Sequence, residues 1–142
     1  MTDGTTPADI DGAETASMHS LMPFTATLGL EMVVNRPDEV RARLAWSERL
    51  NTSGGVMHGG ALMALADSTG GSCAFLNLPD GATGTTTIES KTNFLRAVRG
   101  GHVEAVSKPL HSGRTVIVVV TDVIDADGRL AARVTQTQAV LR

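Results

Sequence analysis

Tyrosine is absent, and the 142 residues include one tryptophan, three phenylalanines and one cysteine. The lone Cys73 rules out an intrachain disulfide, and its place in an apolar run reads as a small buried hydrophobe. A reducing cytoplasm is the expected setting. Positive charge is not in excess: 12 Lys and Arg stand against 15 Asp and Glu, for a formal net charge of −3. That balance argues against a broad nucleic-acid-binding face, so any bound anion must be met locally. A membrane-spanning helix is also lacking, because the most apolar long window, 59–78, carries Asp67, Gly70, Gly71 and Asn77 and stops at Pro79. The first residues lack the basic and apolar regions of a secretory leader. His19, His58, His102 and His111 form no ligand-spaced set with Cys73 or with paired carboxylates, so no metal is expected. Phosphate-binding loops, dinucleotide fingerprints and nucleophile elbows are missing too, and no cofactor is implied.

What is present fits one domain. Residues 1–17 are polar, acidic and rich in Thr, Ala and Gly, and read as a mobile tail ahead of a domain over 18–142. Met18, Leu21, Met22, Phe24 and Leu28 predict a short amphipathic helix over 17–28, interrupted near Pro23. Leu30, Met32 and Val34, then Val40, Ala42, Leu44 and Trp46, alternate with polar positions around Arg36-Pro37-Asp38 and predict a two-stranded hairpin. A glycine-rich loop over 50–57 leads into a segment, 58–76, that is apolar almost all round and is expected as a buried helix. Its small residues, among them Gly59, Gly60, Gly70 and Gly71, weaken the helix and point to close approach by another backbone. Four extended runs follow, 85–95, 102–110, 115–126 and 129–141, the last two joined by the hairpin signal Asp127-Gly128. The class is α+β: a curved antiparallel sheet wrapped around one long helix, with the last four strands as a meander. Val116 to Val120 is apolar on both faces, as expected for a strand between the helix and a second subunit.

Asp67 is the anomaly, a carboxylate midway along a segment whose neighbours Leu62, Met63, Leu65, Ala66, Cys73 and Phe75 read as core. An ionised carboxylate there costs several kcal/mol unless partners or a polar cleft receive it; the plainer alternative is a solvent-facing residue at a helix break. His58-Gly59-Gly60 falls at the helix start, where backbone N–H groups lack intrahelical partners and the dipole favours developing negative charge. A carbonyl oxygen aimed there would be polarised, with glycine leaving the approach open. Alone, the triplet is equally a plain helix entry.

The combination is more telling. The run from His58 to Asp67, His-Gly-Gly-Ala-Leu-Met-Ala-Leu-Ala-Asp, resembles the motif of the hot-dog thioesterases of the phenylacetate-pathway type, related to the 4-hydroxybenzoyl-CoA thioesterases. The likeness extends over the entry from Pro23-Phe24 to Gly29-Leu30, the strand order and the turn His111-Ser112-Gly113-Arg114. It implies a hot-dog fold acting on acyl-CoA, with Asp67 as nucleophile or general base and the Gly59 N–H on the thioester oxygen. His58 would support the loop and the substrate carbonyl. Asn51 would orient water or the carbonyl, although the family asparagine stands six positions before the histidine, where this chain has Thr52. Thr87 is the candidate hydroxyl near the carboxylate, with Thr85 its competitor. Arg114 is the candidate for a CoA phosphate, aided by Lys91, Arg96, Arg99 and Lys108. The resemblance also implies sites shared across a homodimer, or a homotetramer of two dimers. The same fold could instead serve as a non-catalytic acyl-CoA sensor, which would usually carry a DNA-binding extension, or as a dehydratase on a motif of its own. The likeness of His58-Gly59-Gly60 and Asp67 to the family motif implies hydrolysis, and the few aromatics and many small aliphatics near Leu62, Met63, Leu76 and the segment from Met18 to Phe24 are expected to line the place of an aryl or medium-chain acyl group.

Overall fold

Glycine at the end of one element, proline at the start of the next and an alternating strand pattern recur along this chain, and the elements follow from them. The computed structural model describes residues 9–142. Helix α1 (Gly12–Leu21) starts where the Asp11 carboxylate accepts the Glu14 N–H at 3.0 Å. Pro23 opens α2 (Pro23–Leu28), and Gly29, at φ +80°, takes the left-handed conformation that ends it. The hairpin β1 (Glu31–Arg36) and β2 (Glu39–Ala45) turns at Pro37-Asp38. Helix α3 (Gly59–Leu76) is followed by β3 (Gly84–Phe94), β4 (His102–Ser112), β5 (Val116–Asp125) and β6 (Leu130–Leu141).

The helix start differs from expectation. Residues 12–17, read from sequence as part of a mobile tail, are helical, whereas residues 1–8 lie outside the described residues. The reason is that α1 is tied to the edge of β1. Asp11 N–H donates to Met32 O (2.8 Å), Met32 N–H donates to the Thr15 hydroxyl (2.8 Å), and His19 Nε2 meets Leu30 O (2.7 Å).

The sheet order is β1-β2-β4-β5-β6-β3, antiparallel throughout. A meander of four strands is therefore corrected to one of three, because β3 pairs with β6 and not with β4. Strand β4 lies against β2 instead, so between β3 and β4 the chain crosses past β6 and β5 alongside the loop ahead of α3, where Val98 O accepts the Met57 N–H, and the sheet curves around the helix. The Asp127-Gly128 turn does join β5 to β6: the Asp125 carboxylate accepts the N–H groups of Asp127 and Arg129, chiefly the latter, and is held below the usual carboxylate range.

Helix α3 buries one face, carried by Ala61, Leu62, Leu65, Ala66, Thr69, Gly70, Cys73 and Ala74, the pairs recurring at helical spacing. Burial pushes the Cys73 thiol up to about 11, with the charge of Asp38 adding to it, so that thiol is an inert packing group. The opposite face, with Met63, Asp67 and Phe75, is uncovered in the single chain, so the helix is not enclosed on all sides. Leu65, fully buried against the sheet, is the measure of this core: Leu65→Ala should lower the unfolding free energy by about 2–5 kcal/mol, read by urea titration.

Candidate active site

Asp67 sits on the uncovered face of α3, at the wall of a cleft of about 640 Å³ between α1, the second half of α3 and the start of β3. The apolar side of the cleft is Met18, Leu21, Met22, Phe75 and Leu76, and hydroxyls of Ser17, Ser72 and Thr85 face them. Among the expected lining residues, Leu62 belongs to the core instead, and neither Met63 nor Phe24 lines this cleft. Asp67 is exposed, which answers how a carboxylate survives in an apolar helix: the sheet covers the other face.

Two groups hold its Oδ1 oxygen. The Thr87 hydroxyl donates at 3.0 Å and the Gln136 side-chain amide at 2.6 Å. Thr87 thus reaches the carboxylate, whereas Thr85 lines the cleft without a hydrogen bond to Asp67. Gln138 in turn donates to the Thr87 hydroxyl at 2.7 Å. Sequence reasoning missed both glutamines. A signal existed: from Thr135 to Gln138 neither face of β6 is apolar, although a strand under the helix should keep one apolar face.

Gln136 Oε1 is buried and has no hydrogen-bond partner among the described residues. Such an orphan costs about 1–3 kcal/mol. A Cβ on Gly70 would overlap that oxygen, so the approach anticipated from the glycines of α3 is real here, made by a side chain and not by a backbone.

At the other end of α3, His58 Nδ1 accepts the Gly60 N–H at 2.7 Å and caps the helix. With Nδ1 an acceptor, the neutral ring carries its proton on Nε2. The Gly59 N–H has no partner among the described residues, as a first-turn donor should not. Eight residues separate Gly59 from Asp67, about 12 Å along a helix. The two cannot meet on one carbonyl within a single chain. Asn51 forms a β-bridge with Met57 and keeps a buried, unpaired Oδ1, while Thr52 is exposed and its N–H goes to Val56 O.

Arg114 is exposed at the β4–β5 turn, away from the cleft lining. Lys91, Arg99 and Lys108 are engaged with Asn93, Gly54 O and Glu39. Among the described residues no cluster of His, Cys, Asp and Glu is placed to hold a metal ion, and no helix is long and apolar enough to cross a membrane.

Gly70→Ala tests the approach of Gln136 by its sign. At an open helical position alanine is favoured over glycine by up to about 1 kcal/mol. Here the variant should instead be destabilised by about 1–3 kcal/mol, read by thermal unfolding, because the methyl must displace the amide.

Known proteins resemble this chain in sequence and in fold. The model of the thioesterase superfamily matches residues 54–132, more than half of the chain. A Mycobacterium tuberculosis protein bearing a provisional esterase name is 31% identical over 120 residues, covering 83% of this chain and 86% of its own. Its solved structure superposes with a TM-score of 0.82 at 30% identity, over 85% of this chain and 98% of that one. The 1,4-dihydroxy-2-naphthoyl-CoA hydrolase of Escherichia coli is 33% identical over 104 residues, 73% of this chain and 76% of that protein. A mutant structure of the phenylacetic acid degradation protein PaaI from Thermus thermophilus gives a TM-score of 0.77 at 26% identity, covering 84% and 99%. With its six-stranded antiparallel sheet curved around α3 and the family model spanning the helix that carries Asp67, this chain belongs to the thioesterase superfamily and has the hot-dog fold.

Proposed function

We propose that this protein hydrolyses acyl-CoA thioesters to a free acid and CoA at a site formed by two copies of the chain. One observation carries the reading: Asp67 lies at a cleft wall with one carboxylate oxygen held and the other unpaired, on a helix whose first N–H is also unpaired. Thioester hydrolysis needs two things, a polarised carbonyl and an attacking oxygen. The Gly59 N–H, assisted by the helix dipole, serves the first. Asp67 serves the second, by direct attack or by activating water.

Because about 12 Å of helix separates them, the Gly59 that serves a given Asp67 belongs to a second copy. The sheet edges support this. The β1 edge is occupied by α1, whereas β3 is an edge strand with Ile88 and, at its end, Phe94 and Leu95 more than half exposed, the kind of surface a second chain covers. A homodimer follows, with a homotetramer as its further assembly. His58 holds the loop before Gly59, and Asn51 supplies the oxygen that has no partner in one chain.

The apolar wall of Met18, Leu21, Met22, Phe75 and Leu76 suits an aryl or medium-chain acyl group. The E. coli relative, whose name gives a naphthoyl-CoA as substrate, is in keeping with an aryl group. Arg114, exposed and without a side-chain partner, is the residue offered to a CoA phosphate. A reducing cytoplasm suits a chain whose single cysteine is buried.

The test is thiol release from phenylacetyl-, hydroxybenzoyl- and hexanoyl-CoA. Wild type should release CoA from at least one, and Asp67→Asn should lower turnover by about 10²–10⁴-fold with fold and oligomer intact. Binding of the esters without thiol release would move the protein to the sensor reading, and an unimpaired variant would remove Asp67 from the chemistry.

A further inference from the structure

The inner face of a strand flanked on both sides belongs to apolar side chains. Strand β6 keeps to this at Ala132 and Val134 and departs from it at Gln136 and Gln138, which are 0% and 2% exposed. The two amides do not pair with each other. Gln138 Nε2 donates to Thr87 Oγ1 at 2.7 Å, and Gln136 Nε2 lies 2.6 Å from Asp67 Oδ1 and 3.3 Å from the same hydroxyl. A hydroxyl has two lone pairs and one hydrogen. With both lone pairs facing amide donors, the Thr87 hydrogen goes to the one acceptor left, Asp67 Oδ1 at 3.0 Å. The register of β3 against β6 sets Thr87 opposite Gln138, immediately before a bulge between Thr87 and Glu89.

Both hydrogen bonds made to the Asp67 carboxylate end on Oδ1, and Oδ2 has no partner among the described residues. We propose that Gln136 and Gln138 are positioning residues that fix Asp67 by one oxygen, directly and through Thr87, so that Oδ2 alone is presented to the substrate. The carboxylate cannot then rotate its two oxygens into each other's place, and the attacking atom is held in one direction. Two oddities of the fold support this division. Gln136 keeps an unpaired buried Oε1 so that its N–H₂ can face Asp67, and α3 gives up a side chain at Gly70 to make room for that amide. Glutamines present only to fill space would need neither.

The inference rests on the reading of Asp67 as the catalytic carboxylate, and the experiment separates the two. Steady-state kcat and KM are measured across pH on the most active acyl-CoA for wild type, Gln136→Met, Gln136→Glu and Gln138→Leu, with folding followed by circular dichroism. Gln136→Met should lose about 10- to 100-fold in kcat at unchanged KM, and Gln138→Leu a smaller part of it. Gln136→Glu keeps the shape, and only its protonated form can donate to Oδ1. Its kcat relative to wild type should therefore rise as the pH falls from about 8 to about 6. That readout stands even if Gln136→Met fails to fold. A wild-type kcat in Gln136→Met, a loss confined to KM, or a flat ratio across pH for Gln136→Glu overturns the positioning role and leaves the thioesterase reading in place. A folded wild type that releases no thiol overturns both.

Discussion

An α-helix fixes the distance between any two of its residues, and this molecule depends on that constraint. Helix α3 carries an unpaired N–H at its start and a carboxylate eight residues on, about 12 Å away. A thioester carbonyl is far smaller than that gap. Since the helix cannot bend to close it, the chemistry proposed for this chain would need a second copy, and the other features are read in the light of that proposal. Helix α1 occupies one sheet edge through Asp11, Thr15 and His19, and β3 remains at the other. The same α1 supplies Met18 and Leu21, and Met22 just after it, to the cleft wall, so one short helix both closes an edge and shapes the cleft.

The sheet contributes more than a surface to pack against. On β4 and β5 its inner face is largely apolar, with Val103, Ala105, Ile117 and Val119 fully buried. Toward Asp67 it turns polar, with Gln136, Gln138 and Thr87 beneath and beside the carboxylate. A buried amide with an unpaired oxygen and a glycine inside a helix both weaken a fold. Their occurrence together at the carboxylate is where the consistency of the sequence with its own fold is given up, as is expected near a working site.

Much of the architecture was legible from residues alone, because periodicity reports which face is covered. The alternation of Val40, Ala42 and Leu44 and the apolar run from Gly59 to Leu76 correspond to β2 and α3. What was not legible lies between elements. The pairing of β3 with β6 depends on the path of the chain from one edge of the sheet back to β2, which no local pattern encodes. Helical residues 12–17 were read as tail because their order comes from side chains anchored on β1, a tertiary effect. Near the site, Asp67 and Thr87 were named from the sequence, but which oxygen is held and by what is a matter of register between strands. Gln136 and Gln138 read as unremarkable polar strand residues until the sheet turns them inward.

The central claim, that the start and the middle of one helix serve two different sites, is tested most directly by mixing subunits. Gly59→Pro removes the N–H at a first-turn position that suits the backbone of proline, with the half-exposed Phe94 ring shifting to admit the new side chain, and Asp67→Asn removes the carboxylate. Each variant alone should be inactive on acyl-CoA. Refolded together, hybrid dimers contain one intact pairing of Gly59 with Asp67, and thiol release should return to a sizeable fraction of the wild-type rate. If the mixture stays as inactive as its parents while hybrid dimers are shown to form, the site is not shared between chains and the account is wrong at its base.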